Sequence, residues 1–316
     1  MPKICYEPKK FGADNLKIVE LSESICMEYA AKGYDLTLRQ LYYQLVTRNT
    51  FPNTEQSYKR LGSIVSDARR AGLIDWDHIV DRTRNLRQAS GWESPSAIVD
   101  ACAREYRRHR WEGQPMQVEA WIEKDALAGV LQVAADEYSL PYFSCRGYCS
   151  DSEMWSAARR IVLRARRARQ STRILHLGDH DPSGLDMTRD ICDRLHIFTQ
   201  ADVVHEEDGV RRYWLSDTTY FEIRRIALTR EQIEEYNPPP NPAKTTDARF
   251  KTYEQEHGDE SWELDALDPE TITELVKLHV EASIVESIWE QTLERERNER
   301  NRIAEVAKRM RDEIGR

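Results

Sequence analysis

The chain has no apolar run long enough to span a bilayer, and its start, MPKICYEPKK, lacks the apolar core of a signal peptide. A soluble, cytoplasmic protein is therefore expected. Cysteine is sparse: there are six, and only Cys145 and Cys149 are close in sequence. Their C-x3-C spacing has no second Cys or His pair to complete a zinc set, so the thiols are expected to be small buried groups in a reducing compartment. No GxxxxGK[ST] phosphate loop occurs. Overall basicity is missing too, since 46 Lys+Arg stand against 55 Asp+Glu for a net charge of −9. That charge is unevenly spread. Residues 1–113 hold 18 Lys+Arg and 15 Asp+Glu, residues 114–180 hold 9 and 8, and residues 181–316 hold 19 and 32. A mildly basic front on an acidic rear permits DNA binding by a local patch without requiring it.

What is present fits a wet-surfaced globular protein, 40% apolar and 32% charged, and 316 residues suffice for two domains. A first unit, residues 1–113, ends near Gly113-Gln114-Pro115. Within it, TLRQLYYQLVTRNTF predicts a helix with Thr37 as N-cap, because Leu38, Leu41, Tyr42, Leu45 and Val46 fall on one stripe. NTEQSYKRLGSIVSDARRAG predicts a second helix, starting on Asn53 or Thr54 and stopping at Gly72. DHIVDRTR then reads as a strand or hairpin arm. Two helices and a β wing suggest a winged-helix module whose second helix enters a DNA groove, with Arg69, Arg70, Arg82 and Arg84 as candidate phosphate contacts.

From residue 116 strand and helix alternate. MQVEAWIE, LPYFSCRG and RILHLGD are strand candidates, while KDALAGVLQVAADEY, SDSEMWSAARRIVLRARRA and SGLDMTRDICDRL are helical. That order implies a parallel sheet covered by helices, with sites at the carboxyl ends of its strands. Glu123 closes the first strand, and Asp179 and Asp181 close the third. Three acids meeting at one edge suit a hard divalent cation, Mg²⁺, which binds few carboxylates and completes its shell with water and phosphate. Pro182 and Gly184 fit a tight turn into a helix whose N-terminus favours phosphate. Glu119, on the same strand face as Glu123, is either a further acid of the site or a surface glutamate low on the strand. His180, between the two aspartates, is expected to point away from them.

These residues resemble a known family. Glu123-Lys124 in WIEKDAL, followed by GDHDPSG, is similar to the Toprim signature of topoisomerases and related nucleases. LRQLYY at 38–43, CRGYCS at 145–150 and WELDAL at 262–267 narrow the resemblance to the A subunit of type IIB topoisomerases (topoisomerase VI) and the related meiotic double-strand-break protein. It covers residues from about 35 to 285, and the chain resembles the shortened A-subunit-like proteins of phages and mobile elements more than a complete cellular topoisomerase.

The resemblance implies an α/β fold with an N-terminal winged-helix module and a Rossmann-like Toprim domain over residues 114–270, followed by a helical C-terminal segment over 271–316. It implies a transesterase that cuts double-stranded DNA through a 5′-phosphotyrosyl bond, with Tyr43 as nucleophile and Arg39 four residues before it. Glu123, Asp179 and Asp181 would hold Mg²⁺, and Lys124 would contact DNA. A homodimer is implied, with the tyrosine of one protomer meeting the acids of the other, and an ATPase B-type subunit would be needed in trans for strand passage. Ser183 stands where the family usually has an aromatic residue. Helix geometry places Tyr42 within the apolar stripe and Tyr43 off it beside Arg39, free to face a substrate. The alternatives are a hydrolytic Toprim nuclease in which Tyr43 is structural, and a non-catalytic DNA-binding relative.

The remaining basic features are read as surface. The run RRIVLRARRAR is expected to form a solvated helix, and LERERNERN a solvated helix rather than a coiled coil. NPPPNPAKTTDARFK is a stiff connection after which Lys244 and Arg249 are placed to clamp DNA.

Overall fold

Side-chain caps decide where the second and third helices begin. The computed structural model describes residues 3–80, 91–201, 203–207 and 210–314. α1 (Ala13–Ala31) is a helix the sequence patterning does not announce, because buried Ser22 and Glu23 interrupt the apolar positions of its inner face. α2 (Leu38–Thr47) starts as expected at Thr37. The Thr37 hydroxyl accepts from Gln40 N at 3.2 Å while Gln40 Oε1 accepts from Thr37 N at 2.8 Å, a reciprocal cap. α3 (Glu55–Arg70) is capped by Thr54, and the chain leaves it at Gly72. Val19, Ile25, Leu41, Leu45, Leu61 and Val65 form the common core of the three helices. Beyond α3 the described part of the expected wing forms a parallel bridge between Leu36 and Ile79. The rest of that wing, with Arg82 and Arg84, lies outside the described residues.

α4 (Pro95–Glu105) leads into the sheet. Then come β1 (Met116–Ile122), α5 (Ala128–Tyr138), β2 (Tyr142–Ser144), α6 (Asp151–Ala168), β3 (Ser171–Leu177) and α7 (Pro182–Thr199). The alternation is the one the sequence implied. β4 (Val203–Glu207), β5 (Val210–Trp214) and β6 (Tyr220–Ala227) complete a six-stranded α/β sheet in the order β2-β1-β3-β6-β5-β4. β2, β1, β3 and β6 run parallel, and β5 and β4 are added antiparallel at one edge. The chain closes with α8 (Arg230–Tyr236), β7 (Asn241–Pro242), α9 (Phe250–His257), β8 (Glu260–Ser261), α10 (Pro269–Glu281) and α11 (Glu286–Ile314).

Strand alternation sorts the core into two layers. Val118, Ala120, Ile122, Leu175 and Leu177 pack toward α5 and α10, so α10 helps cover the sheet. Trp121 and Ile174 face α6 and α7. No helix among the described residues is long and apolar enough to cross a membrane.

Three surface expectations are corrected. Arg164 of α6 turns inward and the still exposed Arg160 reaches toward β1, because Glu119 there is buried at 2% exposure and needs compensation. Arg160 donates to it at 2.8 and 3.1 Å, Arg164 at 3.0 Å and the Trp121 indole at 3.2 Å, so Glu119 is neither part of the acid edge nor a surface residue. On α11, Glu296 is buried between Arg110 and Arg300, and Glu299 holds Arg108 and Tyr106, which ties LERERNERN to the segment after α4. Of the six thiols, Cys5 and Cys102 are exposed rather than buried.

Removing one partner of a buried ion pair strands the other charge. Glu119→Ala is expected to lower stability in urea by about 3 kcal/mol, and Glu119→Gln by less because the amide still accepts one arginine N–H.

Candidate active site

Parallel register brings the acids together. β1 and β3 pair from Met116↔Ser171 to Ile122↔Leu177, so Glu123 emerges beside Gly178. Glu123 N donates to Leu177 O at 2.8 Å, and the Glu123 carboxylate in turn accepts from Asp179 N at 2.8 Å. Asp179 Oδ1 accepts from Leu264 N at 2.8 Å, and its Oδ2 lies 2.8 Å from Lys124 Nζ. Asp181 caps α7, accepting from Gly184 N at 2.6 Å and from the Ser183 hydroxyl at 2.8 Å. Pro182 opens the helix behind it. Gly184 is required by close approach, since a Cβ there would lie 2.2 Å from Asp179 O.

Two further elements fix this loop, and neither was found in the sequence. Arg225 on β6 donates to the carbonyls of Gly178 at 2.9 Å, Asp179 at 2.6 Å and Gly184 at 2.9 Å. The segment after β8 returns across the loop: His180 and Trp262 exchange backbone hydrogen bonds at 2.8 and 3.0 Å, which delivers Glu263 and Asp265 to the acid edge. The E-x-D pattern of WELDAL repeats the spacing of the D-x-D at 179–181, and that was the available signal. His180 does point away from the acids. Its ring is buried against Tyr253, His257 and Trp262, and burial lowers its pKa to about 4.

Negative charge at this edge is incompletely balanced. Burial, then the neighbouring Asp179, pushes the Glu123 carboxyl up to about 7, and burial raises Asp179 as well. The one ammonium at the centre is Lys124, whose Nζ lies 2.8 Å from Asp179, 2.9 Å from Glu263 and 2.9 Å from Asp265. Burial alone would discharge it, but these three carboxylates hold it protonated. Lys124, expected to contact DNA, is engaged in this structure by carboxylates of its own chain.

No set of three or more His, Cys, Asp or Glu among the described residues forms a ready ligand cage for a metal. The donor chemistry nevertheless fits a hard cation held through few carboxylates, because Glu123, Asp179 and Asp181 present only oxygen and Glu123 lacks a full counter-charge. Those three residues would hold it.

Tyr43 reaches the same edge from α2. Arg39 lies over its ring, 5.8 Å from the centroid, and the Arg39 guanidinium grips Glu263, with Nε donating at 2.9 Å. Asp265 is 3.5 Å from the same Nε, so Arg39, Glu263, Asp265, Lys124 and Asp179 form a continuous chain from α2 to the acids within one protomer. The expectation that Tyr43 stands free is corrected, because it is 2% exposed and its hydroxyl accepts from Asn241 Nδ2 at 3.2 Å. A helical stripe marks one packed face, and here β7 and the 263 segment cover a second. Burial, then Glu263, raises the Tyr43 pKa, which disfavours the phenolate. Tyr42 is buried as expected, its hydroxyl bonded to the backbone of Pro52 and Thr54 at 3.0 Å.

Of the basic contacts expected on α3, Arg70 is exposed and only 3.7 Å-paired with Glu7. Arg69 is turned inward instead, donating to the carbonyls of Trp76 and Ile79 and stacked 4.3 Å from the Trp76 ring. Arg249 pairs with Asp247 and Asp186. No protein-family model and no curated protein matches this chain.

Gly184→Ala is expected to cost about 1–3 kcal/mol, read as a lower urea midpoint, since Asp179 O cannot retreat while Arg225 holds it. For Glu123 the native chain retains a proton up to about pH 7 that the unfolded chain releases near 4.5. Stability therefore falls as pH rises between those values, by up to about 1.4 kcal/mol per unit. In chelator, that slope is expected to disappear from Glu123→Gln when its unfolding is compared with wild type across the window.

Proposed function

We propose that this chain binds double-stranded DNA and cleaves its phosphodiesters at the edge formed by Glu123, Asp179 and Asp181, as a Toprim-type enzyme similar to the topoisomerase VI A subunit. The observation that supports this reading is the joining of Glu123 and Asp179 at the carboxyl end of β1 and β3, with Asp181 two residues further on and a charge deficit on Glu123. Mg²⁺, when bound there, would neutralise charge building on the phosphate during in-line displacement. Asp181 keeps its loop at the N-terminus of α7, whose dipole favours negative charge. Arg225 holds the backbone of that loop so that the carboxylates need not reorganise.

Two groups compete as nucleophile. The covered, un-ionised state of Tyr43 favours water, which makes the chain a hydrolytic nuclease in the arrangement described. The second reading, transesterification by Tyr43, is supported by Arg39 lying against its ring and by the path of charges from Arg39 to Asp179. It requires β7 and the 263 segment to part from α2, and cutting both strands requires a second copy related by a two-fold axis. An N-terminal winged-helix module, a homodimer and an ATPase partner in trans belong to this second reading.

A denaturing gel of end-labelled duplex incubated with protein and Mg²⁺ separates the two. Hydrolysis predicts cutting that persists in Tyr43→Phe, leaves no protein on the 5′ ends and falls at least about 100-fold in Asp179→Ala. A 5′-linked protein adduct lost in Tyr43→Phe would establish the tyrosine. Absence of cutting with every divalent cation tried would remove the cleavage reading.

A further inference from the structure

A cleft of about 560 Å³ opens beside the acid edge, between the start of α3 and the chain after β7, with Tyr43, Tyr58, Asn241, Lys244 and Glu263 on its walls. At its inner end the Glu263 carboxylate is held from two sides: Arg39 engages it through Nε and a terminal nitrogen, and Lys124 donates to it at 2.9 Å. A guanidinium fork and an ammonium converging on one anion is the arrangement that also receives a phosphate. Burial opposes the charge on Glu263, but Lys124 and Arg39 keep its carboxyl below the usual range. At the rim, Lys244 is exposed and lines the cleft. The Tyr58 ring is half-buried and offers a face along the wall, with Arg39 5.7 Å from its centroid.

We propose that Glu263 is an internal stand-in for a DNA phosphate: it occupies the place between Arg39 and Lys124 that a phosphodiester of the bound strand takes, and the cleft receives the adjoining nucleotide. This rests on the proposed action on DNA. The exchange replaces one anion by another, so neither cation is left buried and unpaired. The adjoining sugar and base then lie along Tyr58, with Lys244 on the next phosphate. Release of Glu263 also frees the 262–265 segment from α2, which it reaches through Arg39.

The test is fluorescence anisotropy with a short labelled duplex, without divalent cations, across a salt series. Glu263→Gln keeps the shape and removes the competing charge, so its affinity is expected to rise about tenfold, with log K falling more steeply against log salt by about one to two. Lys244→Ala is expected to move the other way, losing about one from that slope. Glu263→Asp, which keeps the charge, is expected to bind as wild type does. In the wild-type chain, saturating duplex is expected to speed amide exchange over residues 262–265, a readout independent of how the variants fold. Wild-type binding with no gain in a folded Glu263→Gln, or with unchanged exchange over 262–265, overturns the inference alone. Failure of both wild type and Glu263→Gln to bind duplex overturns it together with the DNA reading.

Discussion

One ammonium shared by three carboxylates organises the functional edge of this protein. Lys124 follows the strand that ends in Glu123, Asp179 leads out of the neighbouring strand, and Glu263 and Asp265 return from more than eighty residues later. Without Lys124, four acids would share a partly buried corner and ionisation of any one would oppose the rest. With it, three of them are paired and the deficit is left on Glu123. Arg39 extends the same network onto α2, so the electrostatics of the acid edge and the attachment of the N-terminal helices are a single problem.

That network accounts for the state of Tyr43. The helix bearing it is drawn to the acid edge by Arg39, and the segment supplying Glu263 comes with Asn241 alongside, since β7 and β8 pair and the Ser261 hydroxyl donates to Asn241 O. The phenol is thus brought into the neighbourhood where a nucleophile would be needed by the very contacts that cover it. A tyrosine covered in this way stays protonated at neutral pH, because burial and Glu263 outweigh Arg39 and Lys124. Proximity and reactivity are set here by the same ion pairs with opposite sign.

Much of the sheet and of the early helices was legible because its causes are local. Thr37 and Thr54 cap their helices through side chains three residues away from their targets, and β1 and β3 are short, largely apolar stretches with the acids just past their ends. Glu123 and Asp179 could be brought together from topology alone, since parallel neighbours share a carboxyl edge. What escaped was set by partners distant in sequence. Whether Glu119 is surface or core depends on Arg160 and Arg164, 41 and 45 residues on, and a helix rich in arginine gives no sign of which ones turn inward. The burial of Tyr43 depends on Asn241, 198 residues away. A helical stripe reports the first face to be packed and is silent about a second face covered by irregular chain.

The same distinction bears on the two readings of the chemistry. The acids sit on strand ends and a helix cap, positions fixed by backbone hydrogen bonds and by Arg225, so their geometry is the stiff part of the site. Tyr43 is bonded to Asn241 of β7, a strand of two residues paired with the two-residue β8, and stands beside the Glu263 carboxylate that Arg39 holds. Short strands with few ladder bonds are the elements expected to open at least cost. On the proposed reading the acids form the fixed half of the site and the chain around Glu263 the movable half, and a phosphate entering between Arg39 and Lys124 would act on the movable one. On that proposal DNA would bring its own trigger for uncovering the phenol, and hydrolysis by water and attack by Tyr43 would differ by a displacement of the 262–265 segment rather than by a different set of residues.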